Sequence, residues 1–255
     1  MSRNEHRRSQ LVIPFGVGAM VDFKDDTLMS AGLNFWPYEN INSNEIKNEI
    51  FKKTHIVDPR LQLKLSNMIL YGKKNKIQFF LQPTEKPPTR GNIKSYHAHM
   101  PFVRFPTWYF CTNASCKKMR QVKLEEQYAP RCCKKTMKPV NFLICCENGH
   151  ISDFPWYEWV HRGFEGTCSR DELSLETMPI PGVAGIKVRC NQCKKFRTLG
   201  SIYPKPYESL HKLLPGGKCP GHKPWLGSHE LHDDCSKKVD FVQRASSSIY
   251  FANSI

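Results

Sequence analysis

The cysteines of this 255-residue chain are confined to its C-terminal part: there are eleven, and none precedes Cys111. Their number is odd, histidines lie among them, and the apolar run near the N-terminus stops at Phe15, too early for a secretory signal. These features favour metal ligation over a disulfide framework. The step in composition predicts a boundary near residue 105, between an N-terminal α+β region at 1–105 and a cysteine-rich region at 106–255.

The clearest metal-ligand spacing is Cys190-Asn-Gln-Cys193, followed at a distance by Cys219 and Cys235. A CxxC turn lets two thiolates converge on one tetrahedral ion, and a distant second pair completes a site of the zinc-ribbon type. We therefore expect these four cysteines to bind one zinc ion. Two histidines are alternatives to Cys235 as the fourth ligand: His222 and His232.

A second group begins with Cys111 and Cys116 and continues at the adjacent pair Cys132 and Cys133. Side chains of adjacent residues diverge along an extended backbone, so both members of the pair reach one ion only where a loop relaxes that geometry. The sequence predicts a first zinc site from the first two cysteines and one or both of the pair. The alternative role for either extra cysteine is that of a small buried hydrophobe.

Four further candidates remain: Cys146, His150, His161 and Cys168. Their order suits a third metal site with two cysteines and two histidines. Alternatively, Cys146 or His150 completes the first site. Counting does not choose between these arrangements, so the sequence predicts two zinc ions and leaves a third open.

The segment CENGHISDFPWYEWVH at 146–161 also permits a catalytic interpretation. Cys146 and the two histidines would then bind a hydrolytic metal ion, with Asp153 or Glu158 as the general base. Against this, the sequence has no HExxH pair and no carboxylate cluster suited to magnesium, and Pro155 interrupts the segment. We therefore expect a structural role, with the aromatic side chains in the core, and no enzymatic activity.

The net charge of +15 is typical of a chain that faces a polyanion, most commonly nucleic acid. Many basic residues lie in the loops between the cysteines, and Tyr128, Phe196 and Trp225 near them could stack on unpaired bases. The same lysines could instead serve solubility or dock an acidic protein. We expect single-stranded or forked DNA to be held by these residues: Lys117, Lys118, Arg120, Arg131, Lys134, Lys135, Lys138, Lys194, Lys195 and Arg197.

The first hundred residues predict a small α+β region. Gly16 and Gly18 fit a tight turn with positive φ, because the third glycine of a dinucleotide site and the Gly-Lys-Ser/Thr of a P-loop are missing. No apolar stretch reaches the ~18 residues of a membrane helix, so we expect a soluble, cytoplasmic protein. The pattern further predicts a helix at 44–53, a strand or helix end at 61–65, and a hairpin with Lys73, Lys74 and Lys76 at its tip.

Several sequence blocks follow one another in a recognisable order. The most specific are GHISDFPW at 149–156, PWLG at 224–227 and RASSSIYF at 244–251. They are preceded by RRSQL at 7–11, FGVGA at 15–19, DPRL at 58–61 and RFPTWYFC at 104–111. In these blocks the chain resembles, almost end to end, the DrmB family of DISARM anti-phage defence systems.

The resemblance implies a non-catalytic zinc-binding subunit that partners a superfamily 2 helicase and acts on invading DNA in a bacterial cell. The sequence has no Walker motif, so ATP-driven work would belong to the partner. Two other functions stay open: a protein-interaction scaffold without nucleic-acid contact, and a metal-dependent nuclease.

Members of the resembled family usually continue beyond the RASSSIYF block, whereas four residues follow it here. The stretch SSSIYFANSI at 246–255 alternates apolar residues as a strand does, and an uncovered strand edge is prone to pair with other chains. We therefore expect a second chain that supplies the missing C-terminal half to pair with it. A truncated piece of a longer protein is the alternative.

Overall fold

The computed structural model describes residues 16–23, 26–35, 101–162, 167–202, 208–227, 233–244 and 246, and short pieces at 55–56, 59–60, 63–64, 69–70, 73–74 and 80–81. The helix expected at 44–53 and all but the first residue of the terminal strand expected at 246–255 lie outside these residues. None of the described helices is long and apolar enough to span a bilayer.

A three-stranded antiparallel sheet forms the described N-terminal part, with β1 (Met20–Asp22) and β2 (Thr27–Ser30) as a hairpin and β7 (Phe102–Val103) on the far side of β2. Gly18 precedes β1 with φ +83°, and Trp225 lies against it. A side chain at that position would be strained, so the positive-φ turn is the role of this glycine.

Two strand pairs lie between these elements along the chain. β3 (His55–Ile56) pairs with β6 (Phe80–Leu81), and β4 (Ile69–Leu70) pairs with β5 (Lys73–Lys74), both antiparallel. The second pair lies within the expected hairpin. The expectation that Lys73 and Lys74 lie at the tip is wrong, because both belong to β5, and Lys76 lies outside the described residues.

The cysteine-rich part begins with a sheet in the order β12-β8-β9 and a small hairpin beside it. The sheet consists of β8 (Trp108–Phe110), β9 (Met119–Gln121) and β12 (Lys138–Pro139). The hairpin consists of β10 (Arg131–Cys132) and β11 (Lys135–Thr136).

A second sheet joins distant parts of the chain, in the order β14-β13-β18. The central strand β13 (Phe142–Cys146) pairs with β14 (Ile151–Asp153), which follows it directly, and with β18 (Val239–Gln243), which returns from the end of the described chain. The buried residues of β13 leave no polar face, as expected for a central strand covered on both sides.

Between β14 and β18 the chain forms a third sheet, in the order β15-β16-β17. Its strands are β15 (Leu173–Thr177), β16 (Ile186–Cys190) and β17 (Phe196–Thr198). Two short α-helices, α1 (Trp156–His161) and α2 (Glu208–His211), lie on either side of it along the chain. Small antiparallel sheets with few short helices are compatible with the predicted α+β class, although the helical content is low.

The main core surrounds α1, where Phe154, Trp156 and Trp159 are almost fully buried and their rings meet edge to face. This confirms the expectation that the aromatics of the 146–161 segment pack in the core. A second cluster joins Met29 and Val103 to residues of β13 and β18. The domain boundary near residue 105 stays a prediction, and residues on both sides of it share this cluster.

Buried Arg104 fastens the N-terminal hairpin to the cysteine-rich part. Its guanidinium bonds to the Asp26 carboxylate and donates to the Tyr109 hydroxyl at 2.8 Å, while Tyr109 donates to Asp26 at 2.7 Å. Two backbone carbonyls also accept guanidinium N–H groups, those of Glu126 and Gln127. A buried charge is tolerated when it is paired and hydrogen-bonded, as Arg104 is.

Candidate metal centres and the adjoining basic surface

The described residues form three groups of four ligand side chains, and within each group all four ligand atoms lie within 4.8 Å of one another. Site 1 consists of Cys111, Cys116, Cys132 and Cys133. Site 2 consists of Cys146, His150, Cys219 and Cys235. Site 3 consists of His161, Cys168, Cys190 and Cys193.

The measured separations suit a tetrahedral zinc ion. With Zn–S bonds of about 2.3 Å, sulfur atoms at tetrahedral corners lie roughly 3.8 Å apart. In site 1, Cys116 Sγ lies 3.6 Å from Cys132 Sγ, which lies 3.9 Å from Cys133 Sγ. A disulfide needs a bond of about 2.05 Å, so these contacts are not disulfides, and all eleven cysteines are free thiols.

Site 1 uses both members of the adjacent cysteine pair. Cys133 has φ +48° and Lys134 has φ +62°, both in the left-handed region, where the β10–β11 hairpin turns. This backbone conformation removes the divergence of an extended chain, so that the two thiols meet. The structure thus brings both cysteines of the pair into this group, and Cys146 and His150 lie in another group.

Site 2 is oriented by a carboxylate behind its histidine. His150 Nδ1 lies 3.4 Å from Cys146 Sγ, and Nε2 lies 3.1 Å from the Asp233 carboxylate. The Nε2–H therefore donates to Asp233, which leaves Nδ1 as the ligand atom, an arrangement common at zinc histidines. Lys223 holds Asp233 in turn at 2.5 Å, and this lysine and then His150 lower the pKa of the Asp233 carboxyl.

Site 3 obtains its histidine from the last turn of α1. His161 Nδ1 lies 2.8 Å from the backbone carbonyl of Tyr157, to which it donates, and Nε2 lies 3.4 Å from Cys193 Sγ. This bond from the side chain to the backbone orients the imidazole ring so that Nε2 faces the other ligands. Arg162 then ends the helix in the left-handed conformation, and its backbone N–H donates to the backbone carbonyl of Glu158.

Backbone amides point at several of the sulfur atoms. The Gly221 N–H donates to Cys219 Sγ at 3.3 Å, and Gly221 has φ +69° with the Asp233 backbone too close for any side chain. The N–H of Lys237 is the largest cause that lowers the pKa of Cys235 to about 7. At Cys193 burial opposes the shift, but the N–H of Lys195 and neighbouring ligands lower the pKa to about 7. Such amide contacts stabilise thiolates, the form that binds metal.

Other thiols in the same groups have a raised pKa. Burial raises the pKa of Cys219 and of Cys132 to about 12, and that of Cys168 to about 11. Several thiolates cannot share so small a volume without a positive charge between them. The three donor sets, one with four sulfurs and two with three sulfurs and one nitrogen, fit zinc chemically.

The predicted grouping of Cys190 and Cys193 with Cys219 and Cys235 is wrong in the structure. The first pair meets His161 and Cys168, and the second pair meets Cys146 and His150. The reason is the pairing of β13 with β18, which places Cys146 opposite Val239 and thus beside Cys235. His222 lies outside the three groups, and His232 lies outside the described residues.

Cys145 is the one cysteine outside the three sites. It is partly buried against the second core cluster, and burial raises the pKa of its thiol to about 11. It therefore fits the role of a small hydrophobic side chain.

The two carboxylates considered as catalytic bases have structural partners. The Asp153 carboxylate accepts the Thr107 backbone N–H at 3.0 Å and the Thr107 hydroxyl at 2.6 Å, and desolvation raises its pKa to about 6. Buried Glu158 accepts from Arg170 at 2.5 Å. Neither belongs to a ligand group.

The predicted DNA-binding residues lie beside sites 1 and 3. Of the five non-glycine residues with positive φ in the described part of the chain, four are basic: Lys117, Lys134, Arg162 and Lys194. Glycine would adopt the positive φ of these turn positions with less strain. The presence of a basic side chain there instead indicates a binding role for that side chain. Lys117, Lys138 and Arg197 are half-buried, and the others are exposed: Lys118, Arg120, Arg131, Lys134, Lys135, Lys194 and Lys195.

Two cavities open among these residues. The larger, the Phe196 pocket, has a volume of about 670 Å³ and is lined by Val160, His161, Arg162, Cys193, Lys194, Lys195 and Phe196. The smaller, the Arg120 pocket, has a volume of about 290 Å³ and is lined by Lys118, Arg120, Arg131, Cys132, Met137 and Asp171. Each contains at least one side chain of a ligand group.

The three aromatic candidates for base stacking differ in placement. Tyr128 is 72% exposed and Phe196 is 55% exposed. Trp225 is half-buried and packs against the second core cluster. Arg197, also a predicted DNA contact, lies over the Trp159 ring with its guanidinium carbon 3.6 Å from the ring centroid. Burial is the largest cause that lowers its pKa, so its role includes packing.

Comparison with known proteins finds similarity to the DISARM protein DrmB of Bacillus paralicheniformis, with 28% identity over 166 residues. The match covers 61% of this chain and 28% of that protein, so the chain corresponds to little more than a quarter of the relative's length. A family profile covers nearly the whole chain, residues 7–251. By that match the chain belongs to the family described as Domain of unknown function (DUF8724).

Proposed function

We propose that this protein is a zinc-stabilised, non-catalytic component of a DISARM-type anti-phage defence system that holds DNA on its basic turns beside a superfamily 2 helicase. The observation that carries the proposal is the pairing of ligand groups with basic turns: sites 1 and 3 each adjoin a cavity lined by three cations. The similarity to a DISARM protein DrmB supports the defence context.

The zinc part of the proposal rests on the donor atoms and their spacing. Each site offers four sulfur or imidazole donors, which is the set that closed structural zinc sites use. Both histidines have their second ring nitrogen engaged, by Asp233 in site 2 and by the Tyr157 carbonyl in site 3. Structural zinc supplies folding free energy on the order of 10 kcal/mol or more, which suits a chain of small sheets.

The DNA part rests on charge and exposure. Exposed lysines and arginines surround the two pockets, and the chain carries a net charge of +15. Contacts of this type neutralise phosphates without reading bases, so binding should tolerate sequence changes and weaken steeply with salt. An acidic protein would also be attracted, but it would show a weaker dependence on salt.

The non-catalytic part is supported by the engagement of Asp153 and Glu158 with Thr107 and Arg170. A hydrolytic zinc site needs three protein ligands and an open position, whereas each site here has four protein donors. The helicase partner is proposed from the sequence resemblance, since the chain has no Walker motif of its own.

The test measures DNA affinity against salt concentration for the zinc-loaded protein and for Lys194→Glu/Lys195→Glu. We expect the slope of log K against log salt to fall by about 0.7–0.9 for each phosphate that the variant no longer neutralises. Arg197 is spared because it packs on Trp159. The matched control is Lys212→Glu/Lys238→Glu, two exposed lysines outside both pockets.

If the slope of log K against log salt fell equally in Lys212→Glu/Lys238→Glu, the binding would depend on net charge alone. DNA binding that is absent from the wild-type protein, together with salt-insensitive capture of a protein partner, would replace the proposal with the scaffold function. Copurification from the native host with a helicase is the corresponding test of the partner.

A further inference from the structure

The Phe196 pocket combines cations from two separate turns. Arg162 ends α1, and Lys194 and Lys195 lie in the β16–β17 turn that carries Cys193. Arg162 and Lys194 both have positive φ, which sets their backbones in uncommon conformations. Among the described residues that line the pocket there is no aspartate or glutamate. The cavity therefore presents three positive charges and no compensating carboxylate.

Phe196 adds an exposed aromatic ring to this charged cavity. It begins β17, the edge strand of its sheet, and more than half of its surface is open to solvent. Lys187 lies over the ring, with Nζ 4.7 Å from the centroid. A large apolar side chain is normally buried, and an exposed ring beside cations is the arrangement on which unpaired bases stack.

Contacts among neighbouring side chains support the walls of the pocket. His161 and Cys193, which belong to site 3, form part of the wall and lie 3.4 Å apart. On the strand itself, Arg197 is anchored on Trp159, so the neighbouring Phe196 projects from a fixed backbone. Preorganisation of this kind lowers the entropic cost of binding.

We propose that the Phe196 pocket holds one unpaired nucleotide of a DNA strand, with its base stacked on Phe196 and its phosphates against Arg162, Lys194 and Lys195. This inference rests on the proposed DNA-binding function and adds a subsite that requires an unpaired base. The volume of about 670 Å³ lies within the range of small-molecule pockets, roughly 300–1,000 Å³. A paired base within a duplex has no free face to offer.

The Arg120 pocket provides an internal comparison. It also has three cations, but it is smaller, includes Asp171 and contains no aromatic side chain. It is suited to phosphate groups of either strand form and gives no preference for unpaired bases. Both pockets thus offer positive charge, but only the Phe196 pocket also offers an aromatic ring for stacking.

The experiment compares oligothymidylate with a blunt duplex of equal length by fluorescence anisotropy, on zinc-loaded protein. Phe196→Ala should weaken binding of the single strand by about 5- to 150-fold and leave the duplex within about twofold. Phe196→Trp should restore the affinity, and its added indole fluorescence should be quenched by the single strand. Phe35→Ala is the matched control, since Phe35 is an exposed aromatic outside both pockets and is not a candidate for base stacking.

The outcomes separate the inference from the function on which it rests. If Phe196→Ala binds the single strand like the wild type while Lys194→Glu/Lys195→Glu loses affinity, stacking is excluded and DNA binding stands. If Phe35→Ala loses as much affinity as Phe196→Ala, the pocket has no special role. If the wild-type protein binds neither strand form, the proposed function itself fails. Zinc content and circular dichroism of each variant establish that the fold is retained.

Discussion

Sites 1 and 2 contain similar donors but assemble them in different ways. In site 1 the contacting cysteines Cys116 and Cys132 are 16 residues apart, whereas in site 2 Cys146 meets Cys235 across 89 residues. Site 1 lies in a small apolar cluster with Tyr109 and Met137. Site 2 adjoins the main core, in which Cys219 and Cys235 are buried. Site 1 therefore joins residues that are close along the chain, whereas site 2 joins residues from distant parts of the chain.

Chain entropy alone does not make this difference large. The cost of loop closure grows with the logarithm of length, so closing 89 residues instead of 16 costs only about 1.5 kcal/mol more. The larger difference between the two sites is the amount of buried apolar surface that lies beside each of them. Site 2 lies where β13 pairs with β18 beside the aromatic core, in which several large side chains are almost fully buried.

The strongest test of this comparison removes one ligand from each site. Cys219→Ser in site 2 should abolish the cooperative unfolding transition, because structural zinc supplies about 10 kcal/mol or more, as much as a typical domain's stability. Cys116→Ser in site 1 should release one zinc ion and retain the main transition. Elemental analysis and thermal unfolding give the two readings. Equal loss of the transition in both variants would mean that the two regions fold as one unit.

The carboxylate behind site 2 permits a finer test within one site. Asp233→Ala removes the acceptor of the His150 Nε2–H and should lower zinc affinity at site 2 by about 10- to 100-fold. Asp234→Ala, which changes a residue that is 92% exposed, is the matched control. Competition with a chromophoric chelator measures the affinity. An unchanged affinity in Asp233→Ala would show that packing alone orients the histidine.

Asp153 links the two regions, because its carboxylate on β14 accepts from Thr107 just before β8. Desolvation raises its pKa to about 6, above the unfolded value of about 3.9, so the folded state binds the proton more tightly. The contribution of this group to stability is thus fully present below about pH 4 and is lost as pH rises through about 6.

Relative to Asp153→Asn, the wild-type free energy of unfolding should therefore fall by about 1–3 kcal/mol between about pH 4 and pH 6. Denaturant unfolding of both proteins, at equal zinc loading at each pH, measures this difference. A constant difference across the range would mean that the carboxyl is not desolvated. The opposite slope would mean that its hydrogen bonds to Thr107 outweigh burial.

The smallest expected effect concerns the left-handed turns of sites 1 and 3. Lys117→Gly and Lys194→Gly relieve positive-φ strain and should raise the free energy of unfolding by up to about 1 kcal/mol, while DNA affinity falls. Lys195→Gly, at a position without positive φ, should lower affinity without this gain. Thermal unfolding and anisotropy provide the two measurements. A lower stability in the first two variants would assign the lysine side chains a structural role.

Local sequence patterns predict this molecule correctly where a motif and its partners are close along the chain. The grouping of Cys111 and Cys116 with the Cys132–Cys133 pair, the tight turn at Gly18 and the aromatic core at 146–161 all follow from local spacing and composition. The predicted division of the remaining ligands between sites 2 and 3 is wrong, and so is the placement of Lys73 and Lys74 at the hairpin tip.

The wrong division of ligands has a physical cause. The ligands of site 3 lie between the two halves of site 2 along the chain, so the two sites are nested. A CxxC turn such as Cys190–Cys193 specifies that two thiols converge, but it carries no information about which distant pair they meet. His161 and Cys168 give a signal through their residue types and order, yet spacing alone does not assign them to that turn.

Residue types and local spacing are enough to predict that this chain gathers thiol and imidazole ligands and surrounds them with positive charge, because both follow from side-chain chemistry. Which ligands share a site and which aromatic ring is exposed depend on the packing of distant strands. The antiparallel pairing of β13 with β18 brings Cys146 to Cys235, and the edge position of β17 leaves Phe196 in solvent. Both depend on contacts between strands far apart in the chain, which no local pattern records.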